Sequence, residues 1–248
     1  MIVDSLTYVG KSMFGPSATA EEIVSRLDDL QIDKAVVCAF KPLSYDLRAA
    51  NETVAEAVRK YPDRLVGFAR IDPWQGDGAI RDMEQAEGEL GLRGLFIHPW
   101  EETFPIAAPE VNPLIQVAAD RGLPVLIAAG YPWVSEGLQV GDLASRFPMV
   151  DFIATNGCQI NISGLGTFDA DYALARNPNL VIQTTGVYRQ DFLEEVAARH
   201  GVERLLFASS FPLMEPRLEI LRVRLGAFDE QGKQAILGTN ALARMVRS

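Results

Sequence analysis

Histidine is almost missing from this chain: His98 and His200 are the only two among 248 residues. A metal centre built on several imidazoles cannot be assembled from two. Cysteine is as scarce. Cys38 and Cys158 can form no disulfide framework, and a chain of this length needs none. Long apolar runs are absent too. The longest near-apolar stretch, Leu123 to Val134, is interrupted by Gly130 and Pro132 and is too short to span a bilayer. Basic residues are the minority, 23 against 33 acids, for a net charge of −10. Such a surface repels phosphate backbones, which excludes nucleic acid as the expected partner. The opening MIVDSLTYVGK carries Asp4 and lacks a basic leader segment, so a cytoplasmic protein with no membrane partner is expected. A GxGxxG turn after the first strand, the common mark of a doubly wound dinucleotide fold, is also lacking.

What is present is regular alternation. Hydrophobic residues make up 48% and charged residues 23%, which argues for a packed core and against disorder. Short apolar runs are predicted as strands at Ile2–Ser5, Asp33–Phe40, Arg64–Ile71, Leu92–Pro99, Leu123–Ala129, Val150–Thr155, Asn179–Gly186 and Glu203–Ser210. DKAVVCAF is the kind of continuous run that a parallel sheet buries on both faces. Helical periodicity falls between them, from Ala18–Leu30 and Tyr45–Lys60 through to Pro216–Leu225, and two short helices close the chain. Alternating strands and helices call for parallel pairing, and eight units in about 250 residues fit one closed (β/α)8 barrel. No linker or composition shift divides the sequence, so a single domain over residues 1–248 is expected.

A barrel of this kind carries its site at the C-terminal ends of its strands. The residues there include Tyr8, Arg70, Asp72, His98, Trp100, Ala128, Tyr131, Asn156, Cys158, Arg189, Ser209 and Ser210. In order along the chain, MIVDSLTYVG, VGFARIDPW, GLRGLFIHPW, LPVLIAAGYPW, NLVIQTTGVYRQDFLEE and RLLFASSFP resemble segments of the amidohydrolase-2 branch of the amidohydrolase superfamily. The resemblance covers essentially the whole chain. It implies a TIM barrel that performs hydrolysis, decarboxylation or hydration, usually around zinc or another divalent ion, and often as a homodimer.

The departures from that pattern fall on the metal ligands. The first-strand histidine pair of the family corresponds to Leu6 and Tyr8. Its strand-five and strand-six histidines correspond to Ala128 and Asn156, and its strand-eight aspartate to Ser210. Leu and Ala offer no lone pair, and neutral Tyr, Asn and Ser are poor zinc ligands. No cofactor and no metal is therefore expected. His98 and Tyr8 are the candidate catalytic residues: an imidazole titrates near neutrality, and a phenol can donate to a developing oxyanion. Asn156, Arg189, Tyr131, Trp100, Ser210 and Cys158 are candidate substrate contacts. Arg189 would clamp a carboxylate unless it pairs with Asp191 or Glu194, and Arg70 and Asp72 are expected to pair with each other. His200, at the end of AARHG, reads as a helix C-terminal cation, and Cys38 as core.

Two readings stay open. One is a divergent, metal-independent enzyme acting on a small carbonyl- or carboxylate-bearing molecule by acid–base catalysis: lactone or ester hydrolysis, dehydration, decarboxylation or cyclisation. The other is a catalytically inactive barrel that binds a ligand or a partner. A mouth filled by Leu6, Tyr8 and Phe96 would favour the second.

Overall fold

The computed structural model describes residues 1–160 and 165–246. Eight parallel barrel strands follow one another in chain order: Val3–Lys11, Lys34–Ala39, Leu65–Gly67 continued by Ala69–Arg70, Leu95–Ile97, Val125–Ile127, Phe152–Ala154, Leu180–Gln183 and Leu205–Leu206. The third strand changes partner at Phe68, whose N–H donates to Val37 O at 3.0 Å. The ring closes between the last strand and the first. Ser5 N–H donates to Phe207 O, Ser210 N–H to Leu6 O and Tyr8 N–H to Phe211 O, at 2.8–3.0 Å. Helices return the chain between strands, as the right-handed crossover of parallel strands requires.

Alternation along each strand builds two cores. Leu6, Tyr8, Val36, Cys38, Phe68, Phe96, Leu126, Ile153, Val181 and Leu206 fill the barrel interior. Ala35, Val37, Leu95, Val125, Ile127, Phe152, Ile182 and Leu205 point outward and pack under the helices. The barrel is thus a filled solid whose only polar end of interest is the C-terminal rim.

Some expected boundaries move. The first strand runs nine residues, far past Ser5, because its tail pairs antiparallel with Ser17–Ala18. The following helix starts at Ala20, where the Thr19 hydroxyl accepts from Glu22 N–H and the Glu22 carboxylate accepts from Thr19 N–H. The eighth strand keeps only two residues, since the Phe207 N–H leaves the sheet for Ile236 O at 2.9 Å. A helix at Pro99–Glu102 is an addition, and the two expected closing helices, Glu230–Gln234 and Asn240–Met245, are joined by a π-helical segment at Ala235–Thr239.

Candidate active site

Seven of the eight strands send residues to one cavity of about 110 Å³ at the rim. Its lining includes Tyr8, Phe40, Arg70, His98, Glu101, Ala128, Tyr131, Thr155, Asn156, Ser210, Leu213 and Met214. Below it the barrel is closed by packing. The Tyr8 ring stacks on Phe40 at 4.8 Å and meets the edge of Phe96 at 5.9 Å, while Leu6 and Phe96 are fully buried.

His98 ends the fourth strand and caps the helix Pro99–Glu102. Its Nδ1 accepts from the Glu101 backbone N–H at 3.2 Å. In a neutral imidazole the proton must then sit on Nε2, which lies 3.6 Å from Glu101 Oε1. Burial, reinforced by the nearby Arg70 guanidinium, holds His98 well below the ordinary histidine range. The ring is therefore neutral near pH 7 and presents an N–H. His98, a candidate for acid–base work, thus presents a donor to the cavity in the resting state.

Burial pushes the Tyr8 and Tyr131 phenols upward, so both remain protonated donors. Tyr131 sits 5.5 Å from the His98 ring and stacks on Trp100 at 5.7 Å, which places Trp100 behind Tyr131 at the rim rather than in the lining.

Beside these donors lies a buried ionic group. The Arg70 Nη2 donates to Glu101 Oε2 at 2.5 Å and to Glu102 Oε1 at 2.8 Å, and its Nη1 to Ala39 O at 3.2 Å. Lys41 Nζ donates to the Glu101 carbonyl and lies 3.6 Å from Glu102 Oε1. Asn51 clamps the Arg70 backbone from both sides, at 2.8 and 2.9 Å. The expected Arg70–Asp72 pair does not form, because Asp72 instead caps Trp74 N–H at 3.0 Å. Glu101 was not among the sequence candidates. Its only trace in the sequence is its position three residues after His98, on a helix too short for periodicity to register.

The other candidates separate cleanly. Tyr8, His98, Tyr131, Asn156 and Ser210 come together in the cavity. The Asn156 amide is engaged by backbone past the fifth strand and by its neighbour, donating to Ala129 O and Thr155 Oγ1 at 3.0 Å each. Arg189 is half-exposed, bonded to Asp191, and outside the lining. Cys158 is fully buried, also outside the lining, with its thiol pushed up to about 12 by burial. Arg189 and Cys158 are thus corrected as cavity residues: an ion pair holds one at the surface, and core packing holds the other. Residues 161–164, the tail of the Cys158 loop, lie outside the described residues. His200 Nε2 meets Asp171 at 2.8 Å, and Cys38 is core.

The donor set does not fit the divalent ion that the resemblance implies. Leu6 and Ala128 belong to the hydrophobic interior, and the Asn156 amide nitrogen is tied to the Ala129 carbonyl. Among the described residues, no group of three or more His, Cys, Asp and Glu side chains is arranged to hold a metal.

Comparison with known proteins gives the same architecture. The sequence model of an amidohydrolase family matches residues 43–244. No curated protein sequence matches. Among solved structures, 5-carboxyvanillate decarboxylase from Sphingomonas paucimobilis aligns with a TM-score of 0.76 at 16% identity, covering 100% of this chain and 99% of its own. 4-Oxalomesaconate hydratase from Rhodopseudomonas palustris aligns with a TM-score of 0.74 at 16% identity, covering 99% and 96%. An uncharacterized TIM-barrel protein from Bordetella bronchiseptica gives 0.77 at 17%, covering 99% of both chains. At such identities these likenesses establish the fold.

Proposed function

The chain belongs to the amidohydrolase family, and from that premise we propose a hydrolase- or lyase-type enzyme that moves protons on a small carbonyl compound without a divalent ion. One observation carries the reading: Tyr8, Glu101 and His98, the last as a neutral Nε2–H donor, line one cavity at the C-terminal end of the barrel. Two preorganised donors can hold a substrate oxygen as negative charge develops on it. A carboxylate alongside can accept the proton that is released. Arg70 keeps that carboxylate oriented through Oε2 and leaves Oε1 toward the imidazole. Carbonyl polarisation then falls to hydrogen bonds. That suits activated esters, lactones and proton abstraction beside a carbonyl better than amide hydrolysis. The names of the relatives, a decarboxylase and a hydratase, support the lyase half of the reading by analogy.

The test is solvent-deuterium incorporation beside the carbonyl of small ketones and lactones, followed by NMR, with ester and lactone hydrolysis run in parallel. Turnover that Tyr8→Phe and Glu101→Gln both suppress supports the proposal. A wild-type protein inert across both assays sinks it and leaves a ligand-binding barrel. That second reading has its own support. Leu6, Tyr8 and Phe96 do pack the interior, and about 110 Å³ is small beside the roughly 300–1,000 Å³ of typical ligand sites. An enzyme with this cavity takes a substrate of few heavy atoms.

A further inference from the structure

The cavity contains one permanently cationic side chain among its described lining residues, and both terminal nitrogens of that cation are already bound, its buried Nε alone having no partner. Arg70 reaches Glu101 and Glu102 through Nη2 and the Ala39 carbonyl through Nη1. Lys41 is held by the Glu101 carbonyl and Glu102. Around Arg70 and Lys41 stand three carboxyl groups, Glu101, Glu102 and the half-buried Asp72, with burial holding Glu102 and Asp72 above the ordinary carboxylate range. Apart from Arg70 and Glu101, the polar residues of the lining are uncharged: Tyr8, Tyr131, Thr155, Asn156, Ser210, and His98 as a neutral N–H donor. The one arginine expected to clamp an anion, Arg189, is paired with Asp191 outside the cavity.

An entering carboxylate would therefore meet Glu101 Oε1 directly, or would have to break the Arg70–Glu101 pair. Like charges brought together in a site shielded from water are strongly disfavoured. The net charge of −10 opposes anions at longer range as well. A neutral carbonyl group meets only complementary partners, with donors for its oxygen and an acceptor for any N–H or acidic C–H.

We infer that this site, on the reading proposed above, selects an uncharged carbonyl compound such as an amide, ester, lactone or ketone over the corresponding carboxylate, and that Glu101 enforces the selection.

Propanamide and propanoate are close in shape and differ in charge. Calorimetric titration of the intact protein with each at neutral pH is expected to show the amide binding at least about tenfold more tightly. Glu101→Gln keeps the side-chain length, removes the charge and frees part of Arg70, and is expected to cut that ratio at least about tenfold. Glu101→Asp keeps the charge and is expected to keep the preference, which guards against a folding artefact in the first variant. Equal or tighter propanoate binding by the wild type overturns the inference. So does an unchanged ratio in Glu101→Gln, or a wild type that binds neither probe. The proposed catalysis fails separately: a protein that prefers the amide yet turns nothing over keeps this inference and loses that one, whereas a protein that turns over carboxylates does the reverse.

Discussion

Two walls of one barrel bury carboxylates and neutralise them in different ways. On the wall of the third and fourth strands, Glu101 and Glu102 are matched by Arg70 and Lys41. On the seam between the eighth and first strands, Asp4 is fully buried with no cation bonded to it. It accepts from Leu6 N–H at 3.2 Å, Ser209 N–H at 2.8 Å and the Ser209 hydroxyl at 2.5 Å. Its charged neighbours lie on the helix Pro216–Leu225, where Glu219 is bonded to Arg222. The first wall stores charge as ion pairs whose members depend on each other. The second stores a single carboxyl that burial lifts to about 7, against the lowering effect of its hydrogen bonds and with Glu219 adding a small repulsion. The difference separates carboxylates matched by cations from a carboxyl matched only by hydrogen bonds.

The sharpest way to break the first wall is to remove its arginine. Arg70→Met would leave the buried Glu102 and the partly buried Glu101 without their main partner, and breaking a buried pair in this way typically costs about 3–5 kcal/mol. Urea unfolding of the variant is expected to show a loss of that size. A loss comparable to a surface substitution would mean that water or Lys41 substitutes for the guanidinium, and the contrast between the walls would collapse.

The seam should respond to pH instead. Asp4 has an ordinary value of 3.8 and a folded value of about 7, so between these values the folded state holds more protons than the unfolded one. Its contribution is fully present below about 3.8 and is lost as pH rises toward 7. With about 1.4 kcal/mol per unit, the limit is about 4 kcal/mol. Unfolding free energies measured across this window should therefore fall with rising pH in the wild type and fall less in Asp4→Asn. Glu219, also raised by burial, supplies a residual slope of the same sign in both proteins. Parallel slopes would show that Asp4 is ionised throughout.

How far these walls were legible in the sequence follows from the range of the forces. The strands were visible because a parallel sheet buried on both faces leaves a continuous apolar run, as in DKAVVCAF. The barrel-end filter located Tyr8, His98, Tyr131, Asn156 and Ser210, because strand ends are local features. Glu101 was not legible. Its meaning depends on Arg70, 31 residues earlier, and on a four-residue helix that no periodic pattern marks. The fate of Arg70 was misread for the same reason, since Asp72 is closer in sequence and farther in function. The eighth strand was overestimated because the run of LLFASS says nothing of the Ile236 carbonyl that draws Phe207 away.

The cavity and its floor share one residue. Tyr8 belongs to both, with its ring in the aromatic stack and its hydroxyl at the cavity. Tyr8→Phe keeps the stack and deletes the donor. Stability should be nearly unchanged, while any turnover found should fall about a hundredfold, the usual cost of one oxyanion donor. A stability loss without a kinetic one would assign Tyr8 to the floor alone.

The smallest effect is expected at Arg189, and its smallness is informative. Arginine after the seventh strand of such a barrel is well placed in sequence to grip a substrate anion, and only geometry removes it from that role. Its guanidinium donates to Asp191, two residues away, through both Nε and Nη2, and both partners are about half-exposed. An exposed pair of this kind is screened by water and salt and contributes little to folding. Arg189→Ala is therefore expected to leave the urea midpoint and the affinity for propanamide within error of the wild type. A clear loss of affinity for a small ligand would mean that Arg189 leaves Asp191 and swings over the cavity when the site is filled. The cavity would then hold a cation after all, and its preference for uncharged molecules would have to be abandoned.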